Sequence, residues 1–313
     1  MRRTAIAALL VGGLIVTACG DDDAETADTE TPPADTSDDT NVGTDAPAGT
    51  EASADTGADG AGDAAACADG KTLAPGELTI ATGEPAFPPY VIDDAPETGE
   101  GFEAAVAMAV AREMGFEGDA VTWIRTTFDA AIQPGPKDFD FNLQQYTITP
   151  DRAEFVSFSE PYYTAAQAIF GLADAPAADA TTIADLQGLK IGVQASTTSL
   201  TYVEDVIQPT EAPLVFNDNA AAKQALDGNQ IDAIVADLPT ALFITAVEME
   251  GTAVYGQIEG SGTDQFGLLL EKDSPLVECV NAALATLTAS GELEAITTEW
   301  MADYTEAPII TLT

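Results

Sequence analysis

After residue 67 the apolar positions fall into strand and helix periods, and before it they follow neither. Glu77–Ala81 reads as a strand ended by Gly83 and Pro85. Phe102, Val106, Val110 and Met114 recur among alanines, which predicts an amphipathic helix from Phe102 to Met114 with Gly115 at its C′ position. Ala120–Ile124 is strand-like, Thr127–Ile132 is a short helix stopped by Pro134, and Phe139–Leu143 is a short buried strand. Thr149 followed by Pro150 has the form of an N-cap with proline in the first turn. Ile169–Leu172 is a further strand.

The pattern then restarts. Strands are predicted at Leu189–Val193, Leu214–Phe216 and Ile231–Ala236. One helix opens at Ser196–Ser199, and another runs from Ala220 to Leu226 and is closed by Gly228. Phe266–Leu270 reads as a strand, Pro275–Leu287 as a long helix, and Gly291–Trp300 as a last helix with Leu293, Ile296 and Trp300 on one face. Two successive β-α-β-α-β blocks predict the α/β class, as two Rossmann-like lobes. Ligands of open α/β sheets sit beyond the carboxyl ends of the strands, so two facing lobes place a site in the cleft between them.

The N-terminal part is of another kind. Residues 20–66 are almost wholly Asp, Glu, Thr, Ala, Gly, Pro and Ser, with no aromatic and no Ile, Leu or Met. Such a run buries too little to offset its ordering entropy, so residues 19–66 are expected to form a disordered acidic tether. Arg2 and Arg3 precede an apolar run, Ala5–Val16, that is short for a bilayer span. Val16-Thr17-Ala18-Cys19 resembles the lipobox of bacterial lipoprotein precursors. That resemblance implies a signal peptide over residues 1–18, lipidation of Cys19 and an extracytoplasmic protein held at the cell membrane. The alternative is an ordinary signal peptide with an incidental cysteine.

The 313 residues carry 10 Lys and Arg, 53 Asp and Glu and no His, a formal net charge of −43. Such a surface repels nucleic acid and anionic headgroups, so no nucleic-acid partner is expected. Cys67 and Cys279 remain beyond Cys19, and in an exported chain a pair points to a disulfide before a metal site. Zinc lacks further ligands, the Asp21–Asp23 run lacks the spacing of a calcium loop, and no metal or cofactor is expected. The alternative for the cysteines is two separate buried thiols. If bridged, they give lobe one residues 67–167 and 262–313 and lobe two residues 168–261, with the two crossing strands as a hinge.

Six segments share a further pattern: LTIATGEPAFPPYV, GFEAAVAMAVAREMGF, FDFNLQQYTITPDRAEFVSFSEPYY, LQGLKIGVQASTTS, ALDGNQIDAIVADLPTA and SPLVECVNAALATL with its closing GELEAITTEW. In this order they resemble the polar amino-acid-binding family of ABC-transporter solute receptors, the type 3 extracellular solute-binding proteins. The likeness covers nearly everything after residue 70. It implies the periplasmic-binding-protein type II fold, in a monomer that closes on a polar amino acid and delivers it to an ABC permease in the membrane.

Carried over residue by residue, the resemblance makes Arg152, in the Thr-Pro-Asp-Arg turn, the clamp for the ligand carboxylate. Thr198, beside Thr197 at the start of a lobe-two helix, meets the same carboxylate, which suits the free N–H groups there. Asp237, at a strand's carboxyl end, takes the ammonium. Phe87 and Phe128 sandwich the aliphatic part, Gln145 and Thr147 add contacts from the strand leading into the turn, and Glu84 lies where relatives read the side chain. The sequence departs from the family at Gln144 and Gln145, where many relatives carry Gly or Ser.

Plainer readings stand beside these: a surface salt bridge for Arg152, simple capping for Thr197, core packing for Phe128. Tyr90 is read as packing, Asp232 as structural and Arg112 as a solvated charge. No histidine is present for general base work and no GxSxG elbow for a nucleophile, so the chain is read as a binding protein and not an enzyme. Two alternatives stay open: a cyclohexadienyl-dehydratase-like enzyme on the same scaffold, with Glu84 as its pocket acid, and a ligand-sensing receptor subunit.

Overall fold

A computed structural model describes residues 60–313. The expected signal peptide, the Cys19 lipidation site and most of the tether lie outside the described residues. In chain order the first part holds α1 (Gly60–Ala68), β1 (Leu78–Gly83), α2 (Phe102–Glu113), β2 (Val121–Thr126), α3 (Phe128–Ile132), β3 (Phe141–Asn142), α4 (Pro150–Ala153) and β4 (Val156–Phe158). A middle part follows: β5 (Tyr163–Ala165), β6 (Gln167–Leu172), α5 (Ile183–Leu186), β7 (Ile191–Gln194), α6 (Thr198–Tyr202), β8 (Leu214–Phe216), α7 (Asn219–Asp227), β9 (Ala233–Asp237), α8 (Leu238–Phe243) and β10 (Thr252–Ile258). The chain ends with β11 (Asp264–Phe266), β12 (Leu269–Glu271), α9 (Val277–Ser290), α10 (Glu292–Met301) and β13 (Ile309–Ile310).

The strands form two main sheets. Lobe one is built on the order β2-β1-β3-β12-β4, with β1 parallel to both neighbours and β12 antiparallel to β3 and β4. Lobe two is built on β13-β10-β6-β9-β7-β8, with β7 parallel to β8 and β9, and β6 antiparallel to β9 and β10. Between them β5 and β11 pair antiparallel as a separate ribbon, Ala165 opposite Asp264. This is the two-lobed α/β arrangement with a two-strand crossing. Each lobe has its own core: Phe102, Val106, Val110 and Met114 are all buried in lobe one, and Ile169, Ile191, Val193 and Val235 in lobe two.

Three sequence expectations need correction. The tether does not run to residue 66, because α1 begins at Gly60 and buries Ala64 and Ala68 in the lobe-one core. Alanine is the best helix former and its small side chain allows close packing, so an alanine-rich stretch that looks like a linker docks as a helix. The C-terminus does not stay in lobe one: β13 pairs parallel with β10, and Ile310 is buried in the lobe-two core. Gly256 permits this approach, since a Cβ there would come 2.6 Å from the Pro308 carbonyl oxygen. Nor is Phe266–Leu270 one strand. It breaks at Gly267, whose N–H donates to Tyr146 O at 3.0 Å, leaving β11 in the crossing ribbon and β12 in the sheet.

Cys67 and Cys279 form a disulfide that ties α1 to α9. A bridge closing so long a loop restricts the unfolded chain, and removing one costs about 2–4 kcal/mol. The Cys67→Ser/Cys279→Ser double variant should therefore unfold at a clearly lower denaturant midpoint than the oxidised wild type, and equal midpoints would count against a structural role for the bond.

Candidate functional site

The cleft between the lobes contains a cavity of about 320 Å³. Its lobe-one wall comes from the loops after β1, β2 and β3 and from the turn of α4. The lobe-two wall comes from the ends of β7, β8 and β9 and the helices that follow them. Glu84, Phe87, Phe128, Gln145, Thr147, Arg152, Thr197, Thr198 and Asp237 all line it.

Arg152 is placed by its own turn. Thr149 Oγ1 accepts from Arg152 N at 3.2 Å, capping α4 behind Pro150. The side chain then folds into the cleft, where Nη1 donates to Thr147 O at 2.7 Å and Nη2 to Ser196 O at 2.9 Å. The first partner belongs to lobe one and the second to lobe two. The guanidinium also lies over the Phe128 ring, 5.3 Å from its centre, and that ring stacks on Tyr146 at 4.6 Å. Burial pulls the guanidinium below its ordinary pKa, while the charges of Tyr146, Asp237 and Asp264 oppose the shift. Two of its five N–H donors are spent on main-chain carbonyls, which leaves donors for an anion. Asp151 and Glu154 form no ion pair with it.

On the opposite wall Thr197 caps α6. Its hydroxyl accepts from Leu200 N at 3.2 Å and donates to Gln194 O at 2.8 Å, so its one proton is already committed. Thr198 Oγ1 donates to Asp264 Oδ2 at 3.0 Å and lies 3.4 Å from Thr147 Oγ1 across the cleft. What Thr198 offers the cavity is therefore chiefly its N–H, which lies in the helix's first turn and has no partner within the helix. Asp237 ends β9 and starts α8, half-buried, with Oδ1 accepting from Gln167 Nε2 at 2.7 Å.

Both loops flanking Arg152's partners hold a non-glycine residue in the left-handed region, Gln145 at φ 51° and Ser196 at φ 60°. Gln145 is held there by Glu103, whose carboxylate accepts its main-chain N–H at 2.7 Å as well as its side-chain amide and the Tyr162 hydroxyl. Local strain of this kind persists only where the surroundings enforce it. Glu103 is fully buried, and burial raises its carboxyl to about 7 against the lowering pull of those hydrogen bonds. Burial, then repulsion from Asp264, likewise raises Asp237 to about 7.

The other sequence readings fall as follows. Tyr90 is buried, with its hydroxyl 3.3 Å from Thr240 Oγ1 of the other lobe. Asp232 accepts from Lys190 N, and Arg112 pairs at the surface with Glu113 and Glu292. Sequence reasoning missed Glu103, Gln167, Asp264 and Asp129, the last of which lines the cavity with Oδ1 buried and unpartnered. Glu103 carried one readable signal: it shares the helical spacing of Val106 and Val110, a charge on a face otherwise apolar.

The profile of the bacterial extracellular solute-binding proteins, family 3, matches residues 78–303. The chain belongs to this family. Family-3 relatives include the arginine-binding periplasmic protein of Mannheimia haemolytica, 31% identical over 229 residues, which span 71% of this chain and 90% of the relative. Among solved structures, an ancestral arginine-binding protein bound to arginine superimposes with a TM-score of 0.61 at 29% identity, covering 72% of this chain and 98% of that one. An ancestral amino acid-binding protein described as a precursor of cyclohexadienyl dehydratase gives a TM-score of 0.60, also at 29% identity, covering 72% of this chain and 95% of that one. The chain is thus an amino-acid-binding solute-binding protein of the ABC-transporter type, whose relatives act outside the cytoplasm.

The raised carboxyls have a consequence for stability. An acid whose folded pKa lies above its unfolded value of about 4 stabilises the fold fully below that value. This contribution is lost as pH rises through about 7. Asp237→Asn should therefore raise the melting temperature of the ligand-free protein at pH 8 and change it little at pH 4. Parallel melting-temperature curves for variant and wild type across that range would show that Asp237 is not held protonated by its surroundings.

Proposed function

We propose that the protein is the lipid-anchored binding component of an amino-acid ABC transporter and that it closes its lobes on an L-amino acid with a cationic side chain. The observation that carries this reading is the charge balance of the cavity. Four lining side chains are acidic, Glu84, Asp129, Asp218 and Asp237, and one is basic, Arg152. An α-amino acid places its carboxylate on Arg152 and the N–H of Thr198, and its ammonium on Asp237. Glu84, Asp129 and Asp218 are then left over, and they favour a further positive charge. Phe87 and Phe128 flank the aliphatic stem and suit a planar cation by stacking. Arginine meets each demand, which agrees with the named ligand of the relatives above.

Binding and closure are one event in this reading. The carboxylate touches Arg152 on lobe one and α6 on lobe two, so the ligand has differential affinity for the closed arrangement. Cys19 carries the lipid, and the acidic stretch after it keeps the receptor near the permease to which the closed form delivers its ligand.

Isothermal titration against a panel of amino acids tests the reading. L-Arginine should bind in the micromolar range or tighter and L-glutamate should not, with affinity falling below about pH 7 as Asp237 takes up its proton. Removing one partner of a buried charge pair costs about 3–5 kcal/mol, so Arg152→Ala should weaken binding by a hundredfold or more. Absence of binding to every L-amino acid would overturn the proposal, and turnover of the bound compound would replace it with an enzyme. Cys19→Ser should release the protein from cells, and its retention would argue against the anchor.

A further inference from the structure

Gln167 belongs to none of the residues that touch the cavity, yet its side chain joins more of the site than any that do. It is fully buried on β6, directly opposite Asp237 in the β6–β9 register. Its Nε2 donates to Asp237 Oδ1 and to Asp264 Oδ2, both at 2.7 Å, one amide proton for each carboxylate. Its Oε1 accepts from Ser199 Oγ at 2.6 Å, in the first turn of α6. Its main-chain N–H donates to Ser261 Oγ at 2.9 Å, on the segment by which the chain leaves lobe two. One amide thus connects the strand end that carries Asp237, the helix start that carries Thr198, and both crossing segments.

Two carboxylates so close together cannot both stay ionised and fixed unless a donor lies between them. A water or a shared proton would fill that place if the amide did not. We propose that Gln167 is the positioning residue for ligand recognition: it separates Asp237 from Asp264, holds Asp237 Oδ2 toward the cavity as the acceptor of the ligand ammonium, and ties that geometry to the hinge. The role assigned to Oδ2 rests on the amino-acid reading above. The electrostatic separation does not.

The groups facing Asp237 set the background for a test. Asp264 of β11 and Glu103 of α2 disfavour its charge, and Arg152 of α4 favours it. Tyr90, Tyr162 and Tyr163 of β5 stand near enough for their own hydroxyls to feel it, and all remain neutral. Gln167 is the uncharged donor among them, which makes its removal specific. Methionine keeps its length and lacks both donor and acceptor.

The experiment is a pH titration of ligand-free protein carrying 13C-labelled aspartate carboxyls, with the Asp237 signal identified by its loss in Asp237→Asn. Gln167→Met should raise the Asp237 midpoint by about one pH unit or more, a tenfold change in proton affinity. Asp264→Asn should lower it, and the double variant should return toward wild type. A midpoint in Gln167→Met that coincides with wild type would overturn the proposal, because a merely space-filling residue leaves the titration unmoved. If Gln167→Met does not fold, Gln167→Leu, which also lacks donor and acceptor, takes its place, and an unchanged midpoint there overturns the proposal equally. No ligand enters the titration, so a failure of the amino-acid reading, seen as absence of binding in the calorimeter, is separate from a failure here.

Discussion

The guanidinium of Arg152 touches both halves of the protein, and much of the site can be understood as the set of groups needed to keep it there. A half-buried cation costs free energy unless it is hydrogen-bonded and balanced. Thr147 O and Ser196 O take two of its donors, one from each lobe, and the Phe128 face covers its plane. Ser196 itself, and Gln145 two residues before Thr147, hold left-handed backbone conformations. Gln145 in turn is held by a buried glutamate that no solvent relaxes.

The acids of the cleft form a matching problem. Asp237 and Asp264 converge on one amide, and both are pushed toward neutrality by burial first. A protein with a formal charge of −43 gains nothing in solubility from burying more carboxylates, and Asp237, which lines the cavity, is by its burial a candidate for function.

How much of this was legible in the sequence depended on whether the signal was local. Arg152 and Asp237 follow a turn and a strand whose chemistry is written in neighbouring residues, and both line the cavity. Thr197 as a cap was legible for the same reason. Gln167 and Asp264 were not, because their meaning lies in contacts between segments about a hundred residues apart, and one more acid in an acidic chain carries no information. The lobes were readable from alternation. The return of the tail to lobe two was not, since a two-residue strand after a proline has too few positions to show a period. Likewise α1 is composed almost as a linker is, and only the lobe-one surface that covers Ala64 and Ala68 makes it a helix.

A crystal structure of the protein grown with L-arginine tests the central claim most directly. The account predicts one molecule in the cleft, its carboxylate between Arg152 and the start of α6, its ammonium on Asp237 and its guanidinium between Phe87 and Phe128 toward Glu84 and Asp129. A ligand seated with its carboxylate away from Arg152, or bound to one lobe alone, would contradict it.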